Sequence, residues 1–157
     1  MTSWAINRLA ELGVTLPEVT PPLASYLPAV RSGNIVFTSG QLPFVDGSLV
    51  ATGKVGAEVS QDEAAECARI CALNALAAID HLVGLDSIAR VVKVVGYVAA
   101  APDFTAMPAV INGASDFLGE IFGRSGQHAR SAVGVAVLPL DAPVEVELIV
   151  EVVLPHD

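Results

Sequence analysis

Arg130 is the side chain in this sequence best suited to hold an anion. It opens the stretch ARSAVGVAVLPLDAPVEVELIVEVV, in which the next seven residues are only Ser, Ala, Val and Gly. A guanidinium offers a carboxylate two parallel N–H groups, and the pair strengthens where few other charges compete. Glu145, fifteen residues further on, has the chemistry to take a proton from water and return it to a departing amine. Each has a plainer reading. Arg130 could pair with a glutamate to hold an assembly together, and Glu145 could be solvated or interfacial like Glu147 and Glu151. His128, two residues before Arg130, is either an acid/base group or a loop side chain. Tyr26, on a proline-rich stretch, suits a lid over a small ligand. Ser39 lacks the Gly-x-Ser-x-Gly context of a nucleophile elbow, and no phosphate loop, dinucleotide fingerprint or HExxH is present. His81 and His156 read as a helix-end and a tail residue.

The elements that must position these groups can be read from pattern. Thr2 or Ser3 caps a short helix to Leu12, with Gly13 as its stop. TLPEVTPPLASYLP is extended, and a strand follows at Ile35–Ser39. Asp46-Gly47 marks a tight hairpin. Ser60 and Glu63 form a capping box that opens a helix of about 24 residues ending at Gly84. A strand lies around Val91–Ala99. A second helix, broken or delayed by Pro108, closes at Gly123. Two final strands lie near Ala132–Leu138 and Val144–Val153.

This order predicts an α+β, two-layer fold, with two long helices on one face of a mixed sheet. Val144, Val146, Leu148, Val150 and Val152 should meet the helices, and Glu145, Glu147, Ile149, Glu151 and Val153 should face away. On the preceding strand Ser131, Val133, Val135 and Val137 share one face, and Arg130, Ala132, Gly134 and Ala136 the other. We assign the second set to the same face as the glutamates, as a small-residue surface for a neighbouring subunit. If these two strands are antiparallel, with the chain reversing near Leu140, seven residues of extended chain, about 23 Å, separate Arg130 from Glu145. They would then meet only across a subunit boundary.

The 157 residues, 53% hydrophobic and 16% charged, suit one domain, 1–157, with residues 1–22 as an N-terminal helix and proline-rich lead-in. The apolar excess points to a homo-oligomer. The richest apolar run, Ile70 to Leu85, is broken by Asn74, Asp80 and His81, so no membrane span is expected. A net charge of −9, from 17 acids against 8 bases without a basic cluster, argues against nucleic acid. The N-terminus lacks the pattern of a secretion signal. Cys67 and Cys71, four apart on a helix, read as two reduced, half-buried thiols in a cytoplasmic protein. No metal or other cofactor is expected.

Two blocks carry a resemblance. ARSAVGVAVLPLDAPVEVE resembles the C-terminal signature of the RidA/YjgF family, formerly the L-PSP endoribonuclease family: Ala-Arg-Ser, a strand, Leu-Pro, an acidic turn and a Val-Glu alternation. GNIVFTSGQLP, Gly33–Pro43, is similar to that family's Gly-Asn-hydrophobic-Ser-Gly-Gln-hydrophobic-Pro block, with Tyr26 eight residues before Asn34. The resemblance covers roughly Leu23 to Val153. It implies a chorismate-mutase-like homotrimer with clefts between subunits, hydrolysing reactive enamines and imines of the 2-aminoacrylate type to 2-keto acids and ammonia. It further implies that Arg130 binds the substrate carboxylate and that Glu145 is the site glutamate. Gly40 would line the ligand with its backbone, Tyr26 would reach across the interface, and Asn112 would be the helix asparagine. Ala132 stands where the best-known deaminases have cysteine, and Gly134 where Glu is common. Both changes imply a roomier, less polar pocket and a divergent subgroup. The competing functions are a non-catalytic module for small carboxylates and the family's older description as a ribonuclease and translation inhibitor.

Overall fold

The computed structural model describes residues 3–19 and 24–154. Thr2, His156 and the middle of the proline-rich lead-in lie outside them. Helix α1 runs Trp4–Glu11, capped by the Ser3 hydroxyl, which accepts from the Ile6 amide at 3.2 Å. Strands β1 (Ala29–Ser32) and β2 (Ile35–Thr38) follow, then the two-residue strands β3 (Phe44–Val45) and β4 (Ser48–Leu49). The turn between β3 and β4 has positive φ at both Asp46 (50°) and Gly47 (82°), the twist that a two-residue hairpin loop requires.

Helix α2 spans Gln61–Val83 and ends at Gly84. Of the two capping-box bonds, Ser60 makes its own, accepting from the Glu63 amide at 3.1 Å. No return bond from the Glu63 side chain is present among the described residues. Strand β5 runs Ile88–Ala99, three residues earlier than the pattern suggested. Helix α3 is Met107–Phe122, delayed until Pro108 sits in its first turn, where a missing N–H costs nothing. Strand β6 is Ala129–Val135 and β7 is Val144–Val152.

The sheet order is β1-β2-β7-β5-β6. Neighbours are antiparallel except β5 and β6, which are parallel. Two consecutive parallel strands need a crossover, and α3 supplies it. Helix α2 lies over β7 and β2, and α3 over β5 and β6. The core is the face of β7 that alternation identified: Val144, Val146, Leu148, Val150 and Val152 are all buried, against Phe117, Leu76 and Ile79. This is the α+β plan expected of a chorismate-mutase-like fold.

The last two strands do not form a hairpin. The chain does reverse near Leu140, through a 3₁₀ turn with positive φ at Leu140 and Asp141. It returns, however, one strand further in, so that β5 separates β6 from β7. The small residues after Val135 leave the sheet, and Leu138 turns back over its open face beside Ala99 and Ala142. The cysteines are more enclosed than expected: Cys67 and Cys71 are both fully buried and unpaired, because α2 packs on the sheet with α3 alongside it. The polar break at Asn74 also has a purpose. Its amide donates to the carbonyls of Leu42 and Phe44, tying the hairpin to α2. Among the described residues no helix is long and apolar enough to cross a membrane.

Candidate functional site

Register across β5 fixes which way Arg130 faces. Arg130 pairs with Val94, and Val94 pairs with Leu148. Both partners are fully buried under the helices. Ala132 pairs with Gly96, over which the Ile111 side chain of α3 lies so closely that a Cβ at Gly96 would sit 2.8 Å from Ile111 Cγ2. Arg130, Ala132 and Gly134 therefore belong to the helix-covered face. Ser131, Val133 and Val135 share the open face with Tyr97, Glu145 and Glu147. This reverses the assignment made from alternation. Both residue sets on β6 are small or apolar, so period two alone could not choose between them.

At the β6 edge Arg130 meets α3. Its Nη1 donates to Asn112 Oδ1 at 2.7 Å and to Ser115 Oγ at 3.2 Å. Asn112 and Ser115 are three apart and so on one face of the helix. Among the described residues the guanidinium has no carboxylate partner, since the ion pairs use Arg8, Lys54 and Arg69, and its Nε and Nη2 make no hydrogen bond. His128, on the same side of the chain as Arg130, joins the group. Its Nε2 lies 2.9 Å from Ser115 Oγ and its Nδ1 2.6 Å from the Gly126 carbonyl. Ser115 was not anticipated from the sequence. Its signal was a polar residue one turn after Asn112 on an otherwise apolar helix face. Ala132 is half-buried against the core, two residues beyond Arg130, and a Cβ at Gly134 would rest 3.6 Å from the Met107 sulfur.

Glu145 and Gly40 come together elsewhere. Glu145 lies on the open face opposite Tyr97, its carboxyl against the Gly40 backbone. A Cβ at Gly40 would be 2.8 Å from Glu145 Cδ. Burial, and then the neighbouring charge of Glu147, hold this carboxyl above its ordinary pKa. Tyr97 donates to Glu147 Oε1 at 3.2 Å, and burial followed by Glu147 raises the phenol in turn.

Tyr26 is exposed beside the far edge of the sheet. With Leu27, Val30, Phe37 and Ser39 it lines a shallow groove of about 360 Å³, stapled by Ser39 Oγ donating to the Leu27 carbonyl at 2.6 Å. Within one chain, then, Arg130 and Asn112 meet, Glu145 and Gly40 meet, and Tyr26 joins neither pair. Arg130 is level with Leu148, three residues from Glu145 and two strands across. That is about 14 Å in the plane of the sheet, with the side chains on opposite faces. The 23 Å expected for directly adjacent strands is thus replaced by a shorter offset and a barrier one sheet thick. No group of three or more His, Cys, Asp or Glu capable of holding a metal occurs among the described residues.

A two-layer α+β fold, with a mixed sheet under two helices, an arginine at its edge and an acid on its open face, defines a narrow class. Residues 6–152 match the model of the family described as "YjgF/chorismate mutase-like, putative endoribonuclease", and the chain belongs to that family. It is similar to protein TCP17 of Trypanosoma cruzi, 42% identical over 92% of this chain and 91% of that one. It is also similar to the 2-iminobutanoate/2-iminopropanoate deaminase of Dermatophagoides farinae, 34% identical over 87% and 93% of the two chains. Among solved structures, Atu1372 of Agrobacterium tumefaciens, of unknown function, superposes with a TM-score of 0.89 at 43% identity, covering 96% and 93% of the chains. The YjgF gene product of Escherichia coli gives 0.62 at 30% identity, covering 86% and 94%. The chain therefore shares a fold with both and a closer geometry with the first.

Proposed function

We propose that this protein hydrolyses small reactive enamines and 2-imino acids to 2-keto acids and ammonia, as a cytoplasmic homotrimer, in clefts between subunits. One observation carries the reading. The guanidinium of Arg130 is part-exposed, held by two neutral side chains on a single nitrogen, and has no acid paired to it among the described residues. Its free Nε and Nη2 suit a carboxylate. Arg130 and Asn112 would orient the substrate. Water would add to the C=N carbon, Glu145 of a neighbouring chain passing one of its protons to the nitrogen; the carbinolamine would then collapse, its hydroxyl proton passing the same way to nitrogen as the C–N bond breaks and ammonia leaves. A carboxyl with a raised pKa suits a proton that must be both accepted and given back. The Gly40 backbone and Tyr26 would complete the pocket.

Assembly is supported by the open face, where Val30 and Phe37 are paired across β1 and β2 and each more than 40% exposed, apolar surface that another copy would cover. The net charge of −9 weighs against RNA as the substrate.

The test follows ammonia release from 2-iminobutyrate and 2-iminopropionate generated in place. Removing a charge-assisted bidentate pair costs a ligand about 2–5 kcal/mol. Arg130→Ala should therefore nearly abolish binding, with little rescue by Arg130→Lys. Glu145→Gln should bind and not turn over. Intact binding and turnover in Arg130→Ala would refute the reading. Binding of keto acids through Arg130 without turnover of any imine would favour a non-catalytic carboxylate-binding module.

A further inference from the structure

The hydrogen bonds around Ser115 contain a proton count. The Gly126 carbonyl can only accept, so the Nδ1 of His128, 2.6 Å away, carries a hydrogen. In a neutral ring Nε2 is then the acceptor, and the Ser115 hydroxyl spends its one hydrogen on it. The Ser115 oxygen meanwhile accepts from Arg130 Nη1. The carbonyl that orients the ring is itself fixed, because Gly126 is packed under α3 so tightly that a Cβ there would lie 3.0 Å from the Leu118 carbonyl carbon.

Protonating His128 changes who donates to whom. Nε2 becomes a donor to Ser115 Oγ, which now accepts from both His128 and Arg130. Its own hydrogen is released and is free to point at whatever sits beside Arg130. One proton thus adds a positive charge behind the arginine and turns a hydroxyl from an internal donor into a ligand donor.

We propose that Ser115 and His128 are positioning residues of the Arg130 anion site, and that a small carboxylate binds there together with a proton taken up by His128. This rests on the carboxylate-anchor reading of Arg130 and adds the residues that make the anchor proton-linked. Among the described residues the charge nearest the ring is Arg130, which opposes ring protonation until a bound anion offsets it. On β6 the charge in contact with Ser115 is Arg130 itself. On α3, Asp116 is exposed and Glu120 is engaged by Arg69 of α2 at 3.5 Å. Arg124, in the 3₁₀ turn before β6, is exposed, and Lys93 of β5 pairs with Ala129 and so belongs to the open face.

Linkage gives the sign. Bound carboxylate favours the protonated ring, so by reciprocity protonation favours binding. Affinity is highest at acid pH and falls as pH rises. The expected loss is on the order of tenfold, the effect of one unit charge roughly 6 Å from a carboxylate at an effective dielectric constant of about 40.

The experiment titrates the intact protein calorimetrically with 2-ketobutyrate, ionised throughout, from pH 5.5 to 8.0, in buffers of different ionisation enthalpy. Wild type should take up protons on binding and weaken about tenfold over this range. His128→Gln, which places a non-titrating amide near the Nε2 position, should still bind through Arg130, with a flat pH dependence. Ser115→Ala should weaken binding at every pH while keeping the slope that the His128 charge produces. Flat wild-type affinity without proton uptake overturns the proposal, and needs no variant to fold. An unchanged slope in His128→Gln that disappears in Glu145→Gln also overturns it, assigning the proton to the acid instead. Binding that survives Arg130→Ala unchanged would instead remove the anchor reading itself, a distinct result.

Discussion

Gly40→Ala tests the position of the Glu145 carboxyl. Gly40 is not among the glycines with positive φ, so alanine fits its backbone. The added Cβ would, however, stand 2.8 Å from Glu145 Cδ and 3.1 Å from Cγ. Carbon atoms rest at about 3.5–4.0 Å, so the carboxyl must retreat by roughly 1 Å. The end of a glutamate moves easily, and the cost to stability should stay within about 1 kcal/mol. Catalysis is less forgiving: a displacement of about 1 Å can cost roughly a hundredfold. Ammonia release from 2-iminobutyrate should therefore fall by about 10- to 100-fold in kcat, with a thermal midpoint shifted by no more than a few degrees. The double variant with Glu145→Gln decides the cause. If Gly40→Ala acts by moving the acid, it should add nothing to Glu145→Gln. Losses that multiply would refute this and place the effect on the ligand or backbone. So would wild-type turnover in Gly40→Ala.

Gly113→Ala should be costly where Gly40→Ala is not. A Cβ there would lie 2.7 Å from the Ala65 carbonyl carbon on α2. Overpacking of about 1–3 kcal/mol should outweigh a gain of about 1 kcal/mol in helix propensity, lowering the urea midpoint; an unchanged midpoint would mean the helices part freely. Glu145 should make stability depend on pH. Its raised pKa means that the protonated form favours the fold, a benefit complete below the unfolded value near pH 4 and lost as pH rises through the raised one. Glu145→Gln should therefore be more stable than wild type at pH 7 and equal to it near pH 4, by thermal melts. The cysteines should be inert in the native state. Burial, with Glu63 and Glu66 adding, pushes Cys67 up to about 11, and burial pushes Cys71 well up. Thiolate is the reacting form, so Ellman's reagent at pH 8 should find no thiol until denaturant is added, and then two.

Much of this fold is written locally. Ser60 before an apolar run, Asp46-Gly47 between short strands, Pro108 near a helix start and the alternation of Val144–Val152 each act within a few residues, and each element formed where its signal stood. The neighbours of a strand are not local. Nothing in residues 129–153 says that β5 will sit between β6 and β7, because that depends on α3 carrying the chain over in parallel. The face of Arg130 followed from this insertion and was misread for want of it. Ala132 and Val133 are both apolar enough for either side, whereas Glu145 beside Val146 left no choice. The candidate site was legible only as residue types; the pairing of Asn112 with Arg130 needs α3 packed on β6 and was not anticipated. Ser115 escaped because a lone serine on a helix has no pattern of its own. Its meaning comes from His128 and Arg130, which only the packed α3–β6 contact brings within reach.

The parallel crossover has a further consequence, for the order in which the two halves of the site come into being. Asn112 and Arg130 are 18 residues apart, and β5, α3 and β6 form one unbroken stretch of chain. Closing so short a loop costs little conformational entropy. Gly40 and Glu145 are 105 residues apart, and their contact exists only once the first hairpin, β1 and β2, has docked on the last strand. The Arg130 half of the candidate site is thus low in contact order and the Glu145 half high. A partly folded chain that keeps β5, α3 and β6 can keep the Arg130–Asn112 pair, while Glu145 is set against Gly40 only when both ends of the polypeptide have met.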